Sequence, residues 1–394
     1  MKTLILAGAS ALALGTSAFA DVKIGNPMAV TGPIPDLVAP MVEAVNLAAT
    51  HVNEQGGVLG EPYVVVSADS ACDPAAAVDA VTKLINVDQV SAILGPVCSG
   101  ATIAQATSVS VPAGVVTLSV SASSPDITSL DDNDLVFRTA ASDAYQGVAL
   151  AELAMSKGYD TLAVSYAQDD YNAAIARVFS AAFEEMGGTI TANEAHEPGK
   201  ASYAGEVATL GRRADTLALF AYYGSSGVTI MRNALEAGAF ENFIGADGML
   251  SQDTIDQLGA ENLTTATFTT SASDPERAGF AAWKALADAA GVPASDPFVA
   301  NAYDASFMMA LAIEAAGSAD RAGLAAALRS IAGPEGETIL PGEFAKAREI
   351  LAGGGTINYD GAAGPQDFDA AGDVAGFFSS NVVVDGAWEA TLIK

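Results

Sequence analysis

Short β-branched and aliphatic runs alternate with amphipathic helical stripes along almost the whole chain, and this alternation restricts the fold more than any other feature. Val22 to Asn26 reads as a strand, and a turn follows at Thr31-Gly32-Pro33. Val38, Val42, Val45, Ala49 and Val52 then recur at helical spacing, and Gly56-Gly57 stops that helix. Tyr63 to Ser67 is a second strand. Asp73-Pro74 opens a helix with Asp as N-cap and Pro at its first position. Ala92 to Leu94 is a buried strand ended by Gly95-Pro96, Ala101 to Ser108 is helical, and Val115 to Ser119 is a strand. The pattern then repeats. Helices are expected at Ala144 to Ser156 and Ala173 to Met186, and strands at Leu162 to Tyr166, Thr189 to Ala192, Thr216 to Phe220, Phe243 to Gly245 and Thr265 to Thr269. After Asp274 the chain reads as helical at Glu276 to Ala290, Ala302 to Ala315 and Arg321 to Ile331. A Gly-rich tail ends in a hairpin, Val382 to Val384 with Trp388 to Leu392, turned by Asp385-Gly386. Strands separated by helices mean βαβ units and parallel sheets.

The N-terminus has its own signature. Met1-Lys2-Thr3 carries one positive charge, Leu4 to Leu14 is apolar, and Ala18-Phe19-Ala20 has the small-x-small pattern of a cleavage site. Residues 1–20 are read as a secretory signal peptide. The apolar run is too short for a membrane span, which needs about 20 residues. No Cys stands at the cut to take a lipid. The expectation is a soluble, exported, periplasmic protein starting near Asp21. Removing those 20 residues from 394 leaves 374, more than one core carries when domains cluster near about 100–150 residues. The fold class expected is α/β, with two doubly wound parallel-sheet lobes.

Charge and cysteines exclude several roles. Lys and Arg number 17 against 47 Asp and Glu, a formal charge of −30. Such a chain repels phosphate backbones, so no nucleic-acid partner is expected, and it should remain monomeric. Its acidity suits a salty medium, where screening relieves self-repulsion. Cys72 and Cys98 are the only cysteines. In an oxidising compartment an even pair reads as a disulfide, with two buried free thiols as the alternative. His51 and His196 lack ligand spacing to them, so neither metal nor cofactor is expected. The chain has no Gly-x-Ser-x-Gly elbow, no His-Glu-x-x-His helix and no Ser-x-x-Lys set. A binding protein is therefore expected rather than an enzyme.

In doubly wound folds ligands sit at the carboxyl ends of strands. The candidates are the loops that follow strands. Gly95 to Thr102, including Ser99, opens a helix and suits a carboxylate. Ser119 to Pro125, with Ser121 and Ser123, offers hydroxyls and free backbone groups. Tyr171, Tyr222 and Tyr223 can cover a ligand. Asp247 can receive an ammonium group. Each has a plainer reading as well: an ordinary N-cap, a hydrophilic loop, tyrosines packed at a lobe surface, and one Asp among many acids.

A set of motifs in order carries a resemblance. These are Ile24-Gly25 with Thr31-Gly32-Pro33, Val52-Asn53-Glu54-Gln55-Gly56-Gly57-Val58-Leu59-Gly60, Ala71-Cys72-Asp73-Pro74 and Gly95 to Thr102. They continue through Ser123-Ser124-Pro125, Phe137-Arg138-Thr139, Ala302-Tyr303-Asp304-Ala305 and Tyr359-Asp360-Gly361 before Phe368-Asp369. Over nearly all of residues 21–394 the chain resembles the periplasmic leucine/isoleucine/valine-binding protein family, receptors of branched-chain amino-acid ABC transporters. The resemblance implies a type I periplasmic-binding fold with three crossovers. One lobe would be 21–140 plus 271–374, the other 141–270 plus 375–394. It implies a Cys72–Cys98 disulfide and an α-carboxylate site at Ser99 with backbone and side-chain groups of Ser121 and Ser123. It further implies ammonium capture by Asp247 and aromatic cover from Tyr171 and one of Tyr222 or Tyr223. Two departures stand out. The family's leucine receptors usually have Glu where Asp247 stands, and an aromatic near Leu37. The function implied is an extracytoplasmic solute-binding protein that takes a free, branched-chain amino acid and delivers it to a membrane permease. The alternatives are a receptor for another small amide or carboxylate, the ligand-sensing lobes of a regulator, and an exported hydrolase. The regulator reading has no output segment after Lys394.

Overall fold

The computed structural model describes residues 21–212 and 214–393. The leader read over residues 1–20 lies outside them. The first sheet holds β1 (Val22–Met28), β2 (Tyr63–Asp69), β3 (Ala92–Leu94), β4 (Thr117–Ser119) and β5 (Val136–Arg138), all parallel in the order β2-β1-β3-β4-β5. Helices α1 (Pro35–Glu54), α2 (Pro74–Asn86), α3 (Ser99–Gln105) and the single turn α4 (Pro125–Thr128) connect them.

Local chemistry explains these elements. α1 buries Leu37, Val38, Met41, Ala44, Val45, Ala48, Ala49 and Val52, a wider stripe than the valines alone mark. Val42 sits on its half-buried flank. Asp73 caps α2 by accepting from the Ala76 amide at 2.8 Å, with Pro74 at the first helical position as expected. The helix expected from Ala101 starts at Ser99 and continues through a π-helical turn, Ala106–Ser110. β5 is three fully buried residues without alternation, so its pattern carries no strand signal and the sequence reading assigns it none.

The second sheet alternates α5 (Asp143–Ser156), β6 (Thr161–Ala167), α6 (Asp170–Glu185), β7 (Thr189–His196), α7 (Ala204–Leu210), β8 (Thr216–Phe220), α8 (Val228–Ala237), β9 (Asn242–Ala246), α9 (Gln252–Leu258) and β10 (Ala266–Ala272). The chain then makes α10 (Ala278–Ala290), α11 (Val299–Ala316), α12 (Leu324–Ile331), β11 (Glu337–Ile339), α13 (Phe344–Ala352) and β12 (Ile357–Tyr359). α11 packs on α1 and reaches β3 and β4, so this stretch covers the first sheet. The chain finally returns through β13 (Phe377–Val384) and β14 (Ala387–Leu392), an antiparallel edge on β10. The order is β14-β13-β10-β9-β8-β6-β7, and its other pairings are parallel.

Every residue of α11 from Val299 to Ile313 is buried, and its polar members are all engaged. The Asn301 Nδ2 donates to the Thr139 carbonyl at 2.6 Å, and the Ser306 hydroxyl donates to the Val45 carbonyl at 3.0 Å. Asp304 accepts from the Tyr359 hydroxyl at 2.6 Å and from the Ala362 and Ala363 amides at 2.8 Å. The chain passes between the sheets three times, after β5, after β10 and before β13. Two of those passages are tied together by Arg138. Its fully buried guanidinium grips Asp373 with both forks at 2.6 Å. Among the described residues, no helix is long and apolar enough to cross a membrane.

Candidate functional site

The loops that follow β1, β3 and β4 face those that follow β6, β8 and β9, and a small, tight cavity lies between them. Its walls are Ile34, Leu37, Met41, Val97, Cys98, Ser99, Ser121, Ser123, Tyr171, Tyr222, Asp247 and Phe298. Six sequence candidates, Ser99, Ser121, Ser123, Tyr171, Tyr222 and Asp247, therefore share one cavity. Tyr223 does not line it. Its hydroxyl accepts from the Asp36 amide at 3.1 Å and joins the two sides of the cleft. Cys72 and Cys98 are bonded, which ties the end of β2 to the turn before α3.

Counting hydroxyl protons sorts the cavity wall by polarity, because each serine has one proton to give. Ser121 gives its own to the Val97 carbonyl at 3.0 Å, and Ser123 gives its own to Asp143 Oδ2 at 3.1 Å. Both oxygens are left as acceptors. Ser99 is the opposite case: its oxygen accepts from the Ser124 amide at 3.2 Å and keeps a proton to donate. Among the described residues, no protein acceptor meets the amides of Ser99, Ser121 and Ser123, and no side chain caps α3. One side of the cavity thus offers donors to an anion.

The other side is anionic. Asp247 lies directly after β9, 6% exposed, and its Oδ1 accepts from the Tyr171 hydroxyl at 2.8 Å and from Gln146 Nε2 at 3.1 Å. Burial raises its pKa against the pull of those two donors. Asp143, at the start of α5, is wholly buried, and its Oδ1 has no hydrogen-bond partner. Burial, and then the charge of Asp247, hold its carboxyl well above the usual range. Among the described residues neither acid forms a direct ion pair; Arg138, which pairs with Asp373, acts on Asp143 only through its charge, which partly offsets the rise. Burial also pushes the Tyr171 and Tyr222 hydroxyls up, so both stay protonated. Their rings stack at 5.6 Å and 18°.

Sequence reasoning missed Asp143, Gln146 and the apolar wall of Ile34, Met41, Val97 and Phe298. Asp143 and Gln146 sit one helical turn apart on the first turn of α5, after the Ser142 N-cap. That spacing was visible in the chain, but nothing local says that the turn meets Asp247, 101 residues beyond Gln146.

Comparisons with known proteins bear on the family and the fold. Residues 21–349 match the family model described as periplasmic binding protein. The leucine-, isoleucine-, valine-, threonine- and alanine-binding protein of Pseudomonas aeruginosa is 30% identical over 315 residues, covering 78% of this chain and 82% of that one. The chemotactic signal transduction system substrate-binding protein BasB of Halobacterium salinarum is 28% identical over 385 residues, 95% of this chain and 90% of that one. Two solved structures share the fold. The leucine-binding protein LivK of Thermotoga maritima superposes with a TM-score of 0.78 at 23% identity, covering 94% of this chain and 98% of that one. A solute-binding protein of R. palustris in complex with benzoate gives 0.74 at 18%, covering 95% and 96%. The chain belongs to the periplasmic binding protein family, as the resemblance in its sequence implied.

Proposed function

We propose that this protein binds a free α-amino acid with a short aliphatic side chain, above all a branched-chain one, in the interlobe cavity. The observation that supports the reading is the division of one cavity into three surfaces. Ser99 and the amides of Ser99, Ser121 and Ser123 suit a carboxylate. Asp247, with the Ser123 oxygen, suits an ammonium. Ile34, Leu37, Met41, Val97 and Phe298 suit an aliphatic tail. A carboxylate without an amine would leave Asp247 buried with no cation, which is costly. Lobes of 21–140 with 271–374 and 141–270 with 375–394 close around the ligand, which favours closure only by its differential affinity. In this reading the protein is exported by its leader and works outside the cytoplasm as a monomer. It takes part in no catalysis and delivers its cargo to a membrane permease. Titration calorimetry over the common amino acids, small amides and carboxylates tests it. Asp247→Ala should weaken amino-acid binding by about 2–5 kcal/mol, because it strands a buried ammonium. An unchanged dissociation constant removes Asp247 from the site.

The likeness to a chemotactic substrate-binding protein across 95% of the chain favours one second reading. In it the closed, loaded form reports to a signal transducer. Loss of amino-acid uptake on deletion supports the permease, and loss of taxis with uptake intact supports the transducer.

A further inference from the structure

A second, larger pocket adjoins the cavity, and Phe298 lines both. Phe298 holds φ +62° and ψ 3°, a left-handed backbone that an aromatic residue rarely adopts. It caps α11, is 4% exposed and belongs to the apolar part of the cavity wall, with Ile34, Leu37, Met41 and Val97. A turn keeps it there. The Val299 amide donates to the Asp296 carbonyl at 3.2 Å, and Trp283 Nε1 donates to the Ala294 carbonyl at 3.0 Å.

The second cavity is lined by acceptors. The Asn301 and Asn381 amide nitrogens donate to the Thr139 and Phe268 carbonyls, which leaves their side-chain oxygens as acceptors in two residues of the lining. The Thr270 hydroxyl is buried with no partner, and Ser271 and Ser295 add further oxygens. Among the described residues Asp296, which is solvent-exposed, is the one charged residue in the lining, and no described Lys or Arg is there. Partial burial raises the Asp296 carboxyl above its ordinary value, so a cation beside it would be welcome. Oxygens, one carboxylate and no basic group suit a donor-rich cation such as an alkylammonium.

We infer that Phe298 sets the length of ligand this protein accepts, and that the cavity behind it is a latent subsite for the distal ammonium of a longer, basic amino acid. The inference rests on the proposed amino-acid site. The aromatic ring forms the common wall, so the aliphatic tail of a short ligand packs against it while a lysine side chain has no passage. Opening the wall joins the two spaces and brings Asp296 into reach of a second amine.

Calorimetric titration of the mature protein with leucine and with lysine tests this. The wild type should bind leucine and give no heat with lysine. Phe298→Gly, which also relieves the left-handed backbone, should lose affinity for leucine by roughly tenfold and gain lysine binding by at least tenfold. Adding Asp296→Asn should abolish the gain for lysine and leave leucine binding as in the single variant. Phe298→Ala and a thermal unfolding curve guard against a variant that fails to fold. A folded Phe298→Gly protein that binds leucine but stays silent toward lysine overturns the inference, as does a wild type that binds both equally. A wild type silent toward every α-amino acid instead overturns the amino-acid site itself.

Discussion

Two buried acids, Asp247 in the cavity wall and Asp143 behind Ser123, make the site sensitive to protons. Asp143 and Asp247 both have raised pKa values, by burial first and, for Asp143, then by its neighbour's charge. The empty site therefore holds a proton more tightly than a free carboxyl does. An incoming ammonium needs the ionised acid, so binding releases that proton. Affinity should fall as pH drops from neutrality toward about 4, the ordinary carboxyl value, and reach a plateau above the raised values. Titrations in two buffers of different ionisation enthalpy measure the released proton directly. A flat affinity across that window, with no proton released, contradicts the assignment. The sign is opposite for folding. An acid raised in the folded state contributes stability below its unfolded value and loses it as pH rises. Asp143→Asn should therefore gain stability relative to the wild type as pH increases.

At the scale of elements, the turn between β8 and α8 does two jobs. Tyr222 stacks on Tyr171 inside the cavity, while Tyr223 reaches across to the Asp36 amide and Gly224 donates to the Pro33 carbonyl at 3.1 Å. A Cβ on Gly224 would lie 2.5 Å from that same carbonyl oxygen, so only glycine lets the lobes meet there. The buried His196 ring steadies the turn through the Ser226 hydroxyl at 2.9 Å. Tyr223→Phe removes one cross-cleft hydrogen bond without touching the cavity lining. We expect a loss of about 0.5–1.5 kcal/mol in affinity, expressed as faster ligand release. Stopped-flow dissociation checks it, and an unaltered release rate means that the bond does not hold the closed form.

Across the whole molecule, distant segments are pinned at a few points. Arg138 and Asp373 join the first and third passages between the sheets, and Asn301 secures the first passage to α11. The disulfide spans 26 residues and brings Cys98 to the cavity wall. Replacing both cysteines by serine should cost about 3–4 kcal/mol on the chain-entropy model. Denaturant unfolding, with the slope fitted for each protein because the uncrosslinked unfolded chain exposes more surface, measures this, and an unmoved free energy of unfolding shows that the cross-link adds nothing to stability.

Much of this architecture was legible along the chain, because strand and helix periodicity, the Asp73-Pro74 cap and the Gly95-Pro96 stop are rules acting within a few residues. They located α1, α2, β8 and the closing hairpin within a few residues. They also put Ser99, Ser121, Ser123, Tyr171, Tyr222 and Asp247 after strands, where a parallel fold collects its ligands. Packing decided the rest. β5 is too short and too buried to alternate, so only its neighbour β4 defines it. Tyr222 and Tyr223 are indistinguishable in sequence, and the turn that carries them sends one ring into the cavity and the other across the cleft. Asp143 comes to stand behind the cavity wall, and its helix neighbour Gln146 on Asp247, only when α5 meets β9 and β10. Phe298 becomes a wall only because a turn forces it into a left-handed conformation. These are meetings between segments far apart in the chain. No local preference encodes them; they exist once two sheets have folded and their strand ends face one another.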